Sequence, residues 1–292
     1  MIKKSLSDQI FTAIIYIFLT LILIATIYPL IYVVSASFSN PLDLVKGNVW
    51  LFPKGFNLNA YRKVFQNEEL LNGYVNSIKY TVIGTTINVV MTTMAAYPLS
   101  RKDFKGRNVL TLLFTFTLFF NGGMIPTFLI YKNTLGLYNN IWAIVLPAAV
   151  NVWNLIIMRT YFQSSIPMEI QEAAFIDGCS NIGTLTRIIL PLSKPIIAVM
   201  TMYYSVAHWN AYFNALIYLK DRSRLPLQMI IRNILIVSIA GGDSGESLVD
   251  QVLLSEGIKY AVIVVASIPM LLLYPFIQKY FVKGVTMGAV KG

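Results

Sequence analysis

Catalysis or metal binding needs nucleophiles, titratable groups or ligands within reach of one another, and this sequence offers few. His208 is the sole histidine and Cys179 the sole cysteine. One His and one Cys cannot complete a His- or Cys-based metal site, and a single Cys excludes an internal disulfide. Gly242-Asp243-Ser244-Gly245 has the form of a serine-nucleophile turn. A triad, however, needs a base oriented by an acid, and the only histidine falls in an apolar run far along the chain. No G-x-x-x-x-G-K-[ST] segment is present, so ATP cannot be held in a phosphate loop here. His208 is therefore read as a packed or path-lining residue. No metal, cofactor or catalytic residue is assigned to the chain.

The elements that must position these residues are set by composition. Of 292 residues, 56% are hydrophobic and only 12% charged, with a mean hydropathy of +0.64. Soluble domains carry about 25% charged residues, so a soluble enzyme, a disordered chain and a nucleic-acid module are excluded. Six runs lack Asp, Glu, Lys and Arg: 9–42, 80–100, 108–131, 133–158, 195–219 and 260–278. A helix rising ~1.5 Å per residue crosses a ~30 Å hydrocarbon core in about 20 residues. The runs are continuous rather than alternating, which predicts helices, not a barrel. The fold class expected is all-α integral membrane with six transmembrane helices. The apolar run after Lys3-Lys4 is too long for a signal peptide and reads as an uncleaved first helix.

The connector Arg101-Lys102-Asp103-Phe104-Lys105-Gly106-Arg107 holds four cations in seven residues, whereas the next short connector holds Lys132 alone. The positive-inside rule places 101–107 in the cytoplasm, together with both termini. The net charge of +10 is divided between the two sides without a basic-aromatic stripe. It is read as topology determinants that also attract anionic lipid. External segments are expected at 40–74, structured and partly interfacial, and at 220–257. The latter combines an amphipathic run over 225–237 with a Gly-rich turn at 241–245.

Within the runs lie Pro29, Pro98, Pro126, Pro147, Pro269 and Pro275, and the polar Asn88, Asn121, Asn151, Asn154, His208, Asn210 and Asn214. Such groups should face the protein interior or an aqueous path. No run carries an Asp or Glu, which weakens an ion-coupled carrier, because ion coupling often uses an intramembrane carboxylate. Asn151, Trp153, Asn154, Tyr203, Trp209, Asn210 and Tyr212 combine aromatic faces with amides. Two readings fit them: a sugar path, or aromatic packing and interhelical hydrogen bonds.

The stretch 159–194 carries the most specific pattern. Ser165 is expected to cap a helix whose first turn holds Pro167 and Glu169. Gly178 stops that helix. Ser180 or Asn181 caps a second helix, expected to end before Pro191. Ile170, Ala173, Ala174 and Asp177 share one face at helical spacing. From spacing alone, both a loop packed on its own bundle and a partner-docking surface remain open.

Glu172-Ala173-Ala174, three residues, Gly178, nine residues, Ile188, one residue and Leu190-Pro191 resemble the EAA loop of binding-protein-dependent ABC importer permeases. The resemblance implies the type I (MetI-like) importer fold over residues 75–281. Residues 1–74 form a preceding helix and external loop, and 282–292 a cytoplasmic tail. In that family the first short helix is a coupling helix that docks on the ATP-binding subunit. By position, Glu172, Ala173, Ala174 and Gly178 are the docking residues, with Asp177 on the same face. Gly122-Gly123-Met-Ile-Pro126, Asn154-Leu-Ile-Ile-Met-Arg159, His208-Trp209-Asn210 and Pro226-Leu227-Gln228 resemble the carbohydrate permeases, especially the branch of oligosaccharide and aldouronate importers. The tail, with Lys283, Gly284 and Lys291, is similar to one that reaches toward the ATPase dimer. Cys179 departs from the family, where Ala is usual.

The resemblance implies a bacterial cell-membrane permease that pairs with a second homologous permease, two ATP-binding subunits that carry ATP and Mg, and an extracytoplasmic solute-binding protein. Carbohydrate is the implied substrate. The alternatives are an importer for a non-sugar solute and an autonomous carrier.

Overall fold

The computed structural model describes residues 5–147, 149–240 and 247–289, with side chains described outside 237–255, 277 and 279–289. Among the described residues every regular element is helical. The elements are α1 (Leu6–Ser37), α2 (Pro41–Val45), α3 (Asn59–Gln66), α4 (Glu68–Ser100), α5 (Arg107–Phe119), α6 (Met124–Leu129), α7 (Trp142–Val145), α8 (Val152–Ser165), α9 (Met168–Ile176), α10 (Asn181–Thr184), α11 (Leu190–Leu192), α12 (Lys194–Trp209), α13 (Phe213–Tyr218), α14 (Leu227–Ala240) and α15 (Ser247–Ala289). A π turn, Ile130–Thr134, extends α6, and another, Leu185–Ile189, joins α10 to α11.

The charge-free runs do not map onto six unbroken rods. Three spans are long and apolar enough to cross alone: Leu6–Ser37, Glu68–Ser100 and Glu256–Phe276. Two bent pairs raise the number to five. The first, α5 with α6 and its π turn, bends by 111°. It breaks at Gly122-Gly123, where Gly123 has φ +87° and the Asn121 side chain accepts the Gly123 N–H at 2.9 Å. The second joins Asn181–Leu192 to α12 with an 84° bend at Ser193. The run 133–158 is divided between α7 and α8, with Pro147 and the capping Asn151 in the gap. Uninterrupted hydropathy sets the environment of a segment, while Pro, Gly and side-chain caps decide where its helix stops.

Two compact units are distinguished by their internal contacts, residues 1–70 with 231–268, and residues 71–230 with 269–292. In the first, α1 exposes its apolar side chains along most of its length and buries Ser35, Ala36 and Ser37 at its end. Ala36, Leu44 and Val49 form a small core with Tyr32 and Tyr260, whose rings meet edge-on at 5.8 Å. The segment after α1 is ordered, as expected. Phe38 stacks on Phe56 and Tyr61, the Ser37 and Tyr61 hydroxyls meet at 2.7 Å, and the Asn57 N–H donates to the Phe38 carbonyl at 2.8 Å. Trp50 and Phe52 stay exposed, as suits rings at a membrane interface.

In the second unit a ladder of buried polar pairs joins α4 to α12. Thr85 meets Ser205 at 3.3 Å, the Asn88 Oδ1 meets the His208 Nε2 at 2.7 Å, and Thr92 meets the Tyr204 hydroxyl at 2.7 Å. These groups satisfy one another rather than face lipid. Below the ladder, Leu155, Met158 and Phe162 of α8 pack with Ala96, Leu99, Ile189, Ile196 and Met200.

Candidate functional site: the loop between α8 and α12

The chain leaves α8 at Ser165 and turns outward through Ile166-Pro167. Phe162 and Ile166 are buried in the core on this side, so the loop starts from a fixed point. Ser165 is the last residue of α8, and Pro167 takes the N-cap position of α9 without a side-chain cap. This corrects the expected Ser165 cap. The physical reason is Pro167, which favours extended backbone at Ile166 and so separates the two helices there. Glu169 lies in the first turn of α9, where a carboxylate suits the helix dipole.

The end of α9 is as expected from Gly178. Its φ is +76°, the Gly178 N–H donates to the Phe175 carbonyl at 3.0 Å, and the Cys179 N–H donates to the Ala174 carbonyl at 2.9 Å. This pair of bonds is a Schellman motif and closes the helix on itself. Ser180 Oγ then accepts the Gly183 N–H at 3.2 Å and starts α10. The second helix does not end before Pro191. It passes through the π turn, whose Leu190 N–H reaches back to the Leu185 carbonyl, and runs to Leu192. A wider turn just ahead of Pro191 accommodates a residue that lacks an N–H and crowds the preceding turn.

The four residues expected on one face are divided. Ile170, Ala173 and Asp177 are exposed, and Ala174 alone, at 4% exposure, is buried; outside that set Gln171 is also buried, while Glu172 and Gly178 are exposed. Small size at Ala174 serves close approach of α9 to its own protein. The sequence reading missed Phe175 and Ile176, which are 68% and 85% exposed beside the Glu172 turn. Two large apolar residues immediately before a helix-stopping Gly were the available signal.

Three side chains hold the end of α4 beneath this loop. Arg159 Nε donates to the Leu99 carbonyl at 2.9 Å, Gln163 Nε2 to Ser100 at 3.3 Å, and Arg107 Nη1 to Arg101 at 3.2 Å. Carbonyls at a helix C-terminus lack intrahelical partners and attract cations. Arg101 then bridges outward. It pairs with both Asp103 oxygens and donates to the Tyr97 hydroxyl at 3.2 Å and to the Asn181 Oδ1 at 2.8 Å. Hydrogen bonds from Arg101 hold the Asp103 carboxyl below the usual carboxylate range, and the same bonds raise the Arg101 pKa.

The proposed sugar-path residues are not all alike. Asn151, Trp153, Tyr203, Asn210 and Tyr212 are exposed. Asn154 and Trp209 are buried, and the Trp209 ring meets Tyr74 edge-on at 5.6 Å. Asn151 caps α8 by accepting the Asn154 N–H at 3.1 Å, and its own N–H donates to the Tyr204 hydroxyl at 3.2 Å. His208 is packed, as expected. Lys283 and Gly284 lie on the α15 backbone, with the Lys283 side chain outside the described residues. Lys291, Lys3, Lys4 and the turn 241–245 lie outside them altogether. Among the described residues no group of three or more His, Cys, Asp and Glu side chains is placed to hold a metal.

Apolar helices long enough to cross a membrane, two further spans that are bent, and a short helix with one exposed face define a multi-pass membrane protein. Residues 88–287 match the family described as binding-protein-dependent transport system inner membrane component. The chain belongs to that family. It is similar to the protein LplC of Bacillus subtilis (strain 168), with 45% identity over 267 residues, covering 91% of this chain and 90% of LplC. It is also similar to the polygalacturonan/rhamnogalacturonan transport system permease protein YtcP of the same organism, with 43% identity over 288 residues, covering 98% of this chain and all of YtcP. Among solved structures it resembles a bacterial ABC transporter involved in the import of the acidic polysaccharide alginate. That match has a TM-score of 0.85 and 33% identity, and covers 96% of this chain and 100% of the solved one.

Proposed function

We propose that this chain is the transmembrane permease subunit of an ATP-driven carbohydrate importer, with an oligosaccharide as cargo. It forms half of the translocation path with a second homologous permease, in a bacterial cell membrane with both termini cytoplasmic. It is non-catalytic: ATP and Mg belong to two partner ATP-binding subunits, and an extracytoplasmic solute-binding protein delivers the sugar. The observation that carries the reading is α9. This nine-residue helix is closed by a Schellman turn, rooted through Gln171 and Ala174, and presents Glu172, Ala173, Phe175 and Ile176 outward. The carbohydrate assignment draws support from the transport names of the relatives.

In this mechanism the ATPase grips α9 through Glu172, Ala173, Asp177 and Gly178, and the apolar pair fills a groove. Closure of the ATPase dimer moves α9, and the stiff turn at Gly178 passes that movement to α10 and α12. Alternating access follows as a bistable rocking of the bundle, powered by the partner. Asn151, Trp153, Tyr203, Asn210 and Tyr212 are the residues we assign to the sugar path, while Asn154 and Trp209 support it by packing. The tail bearing Lys283, Gly284 and Lys291 is assigned to the ATPase side.

The test is a mild-detergent pull-down of the tagged chain with mass spectrometry of the co-purifying proteins. Recovery of a second permease and an ATP-binding subunit is expected, with uptake of an oligosaccharide by cells that express the complete set. An intact chain recovered alone, also after crosslinking in the membrane, overturns the assignment in favour of an autonomous carrier.

A further inference from the structure

A cleft of about 410 Å³ opens between the end of α4, the connector 101–107 and the start of α10. Arg101, Asp103, Lys105 and Asn181 supply its polar lining, and Met94, Pro98, Ile182 and Leu185 its apolar lining. Met94 is 60% exposed and Ile182 75%, so the apolar wall continues onto the outer surface. The Arg101 guanidinium is fixed in orientation by Asp103, Tyr97 and Asn181, and most of its charge is offset by Asp103. Lys102 and Lys105 have no ion-pair partner among the described residues. The connector thus keeps an excess of positive charge at the mouth of an apolar cleft.

We infer that this cleft binds the headgroup of an anionic phospholipid, with the phosphate at Lys105 and the first part of an acyl chain along Met94, Pro98 and Leu185. Basic pockets between membrane helices on the cytoplasmic side bind such headgroups, and that leaflet carries the anionic lipid. A free phosphate would use the cations and leave the apolar wall bare. A zwitterionic lipid would gain little from the unpaired lysines. A lipid seated here touches Asn181, Ile182 and Leu185 and so braces the segment that follows α9. The site rests on the proposed topology, in which the connector 101–107 lies in the cytoplasm with both termini.

The experiment uses the full chain with its partner subunits in nanodiscs of phosphatidylcholine alone or mixed with phosphatidylglycerol. A photoactivatable phosphatidylglycerol is crosslinked and mapped by mass spectrometry. Labelling within 94–105 and 181–185 is expected, falling roughly thirty-fold in Lys105→Glu, since each cation near such a surface contributes about 1 kcal/mol and charge reversal removes two charges' worth. Lys79→Glu should leave that labelling unchanged. Equal labelling by a phosphatidylcholine probe overturns the inference. So does labelling insensitive to Lys105→Glu, displacement by inorganic phosphate, or loss of labelling only when the ATPase is bound. Topology is read separately from a Lys105→Cys, Cys179→Ser chain in sealed cells. A maleimide that reacts from outside refutes the cytoplasmic placement, whereas protection from outside with failed lipid labelling refutes the lipid site alone.

Discussion

Arg101 Nη1 and Asn181 Oδ1 meet at 2.8 Å, joining residues 80 positions apart in the chain. One sits just past the end of α4, and the other opens α10 directly after the Schellman turn of α9. The bond therefore links a membrane-spanning helix to the proposed coupling segment by a route other than the backbone. Removing the guanidinium breaks this link together with the Asp103 pair and leaves α9 itself intact. Arg101→Gln is expected to uncouple the transporter, with transport falling about ten-fold while ATP hydrolysis by the purified complex changes less than two-fold, a separation of at least about five-fold, worth about 1 kcal/mol. Arg101→Lys keeps the charge but not the fork of donors and should rescue only in part. Equal loss of both activities in Arg101→Gln would indicate a folding defect instead.

Gly178 offers a cleaner separation of backbone from contact. A Cβ built there meets no atom within 4 Å, yet its φ is +76°. The cost of substitution is then conformational alone, roughly 1–2 kcal/mol for most residues and least for Asn. Gly178→Asn should retain most transport. Gly178→Val, β-branched and unsuited to this region, should lose it while the chain still reaches the membrane at normal levels. Uptake by both variants, read against immunoblots of membrane fractions, checks the order. A Gly178→Asn variant as inactive as Gly178→Val would mean that the docked ATPase leaves no room for a side chain here, so that packing against the partner and not backbone conformation sets the need for Gly.

The exposed pair Phe175 and Ile176 should dominate the affinity of docking, and Glu172 its specificity. Burying a large apolar side chain stabilises by about 1.5–3 kcal/mol, so Phe175→Ser with Ile176→Ser is expected to weaken ATPase retention by more than a hundred-fold. A rim carboxylate contributes less to affinity and more to correct pairing. Glu172→Lys should abolish uptake with a smaller loss of co-purifying ATPase. Quantitative pull-downs of the two variants against uptake decide it: wild-type uptake by a well-expressed Glu172→Lys chain removes Glu172 from the mechanism.

What was legible in the sequence follows from which signals are local. The helix stop at Gly178 and the cap at Ser180 each depend on a residue's own backbone preference or short-range bonding, and both stand as read. Of the polar residues in the apolar runs, Asn88, Asn154 and His208 are buried, as poor solvation in lipid leads one to expect, whereas Asn121, Asn151 and Asn210 are exposed. The number of unbroken rods was not legible, because charge-free length reports the surroundings of a segment and not its continuity. Gly123, Ser193 and the gap around Pro147 set that. The partition of α9 was not legible either, since helical spacing groups residues onto a face without saying which face turns inward. Arg101–Asn181 and the three side chains that hold the end of α4 are long-range contacts with no periodic trace.

His208 gives the last prediction, and it turns on space. A Cβ at Gly84 would lie 2.4 Å from the His208 Nε2 and 2.5 Å from its Cε1, inside any real contact distance. The ring is held at Asn88 by a 2.7 Å hydrogen bond and is 7% exposed, so it has little room to yield. Overpacking of this kind costs about 1–3 kcal/mol, more than the ~0.6 kcal/mol typical of an interhelical hydrogen bond in a membrane protein. Gly84→Ala should therefore lower the thermal midpoint of the detergent-purified chain by several degrees. His208→Ala removes both the bond and the ring and leaves a cavity, so it too should destabilise. Combined, the two changes should be far less than additive, because the new methyl group enters the space the ring vacates. Strict additivity in the melting series would show that Gly84 and His208 do not press on one another, and that the approach of α4 to α12 is set elsewhere along the polar ladder.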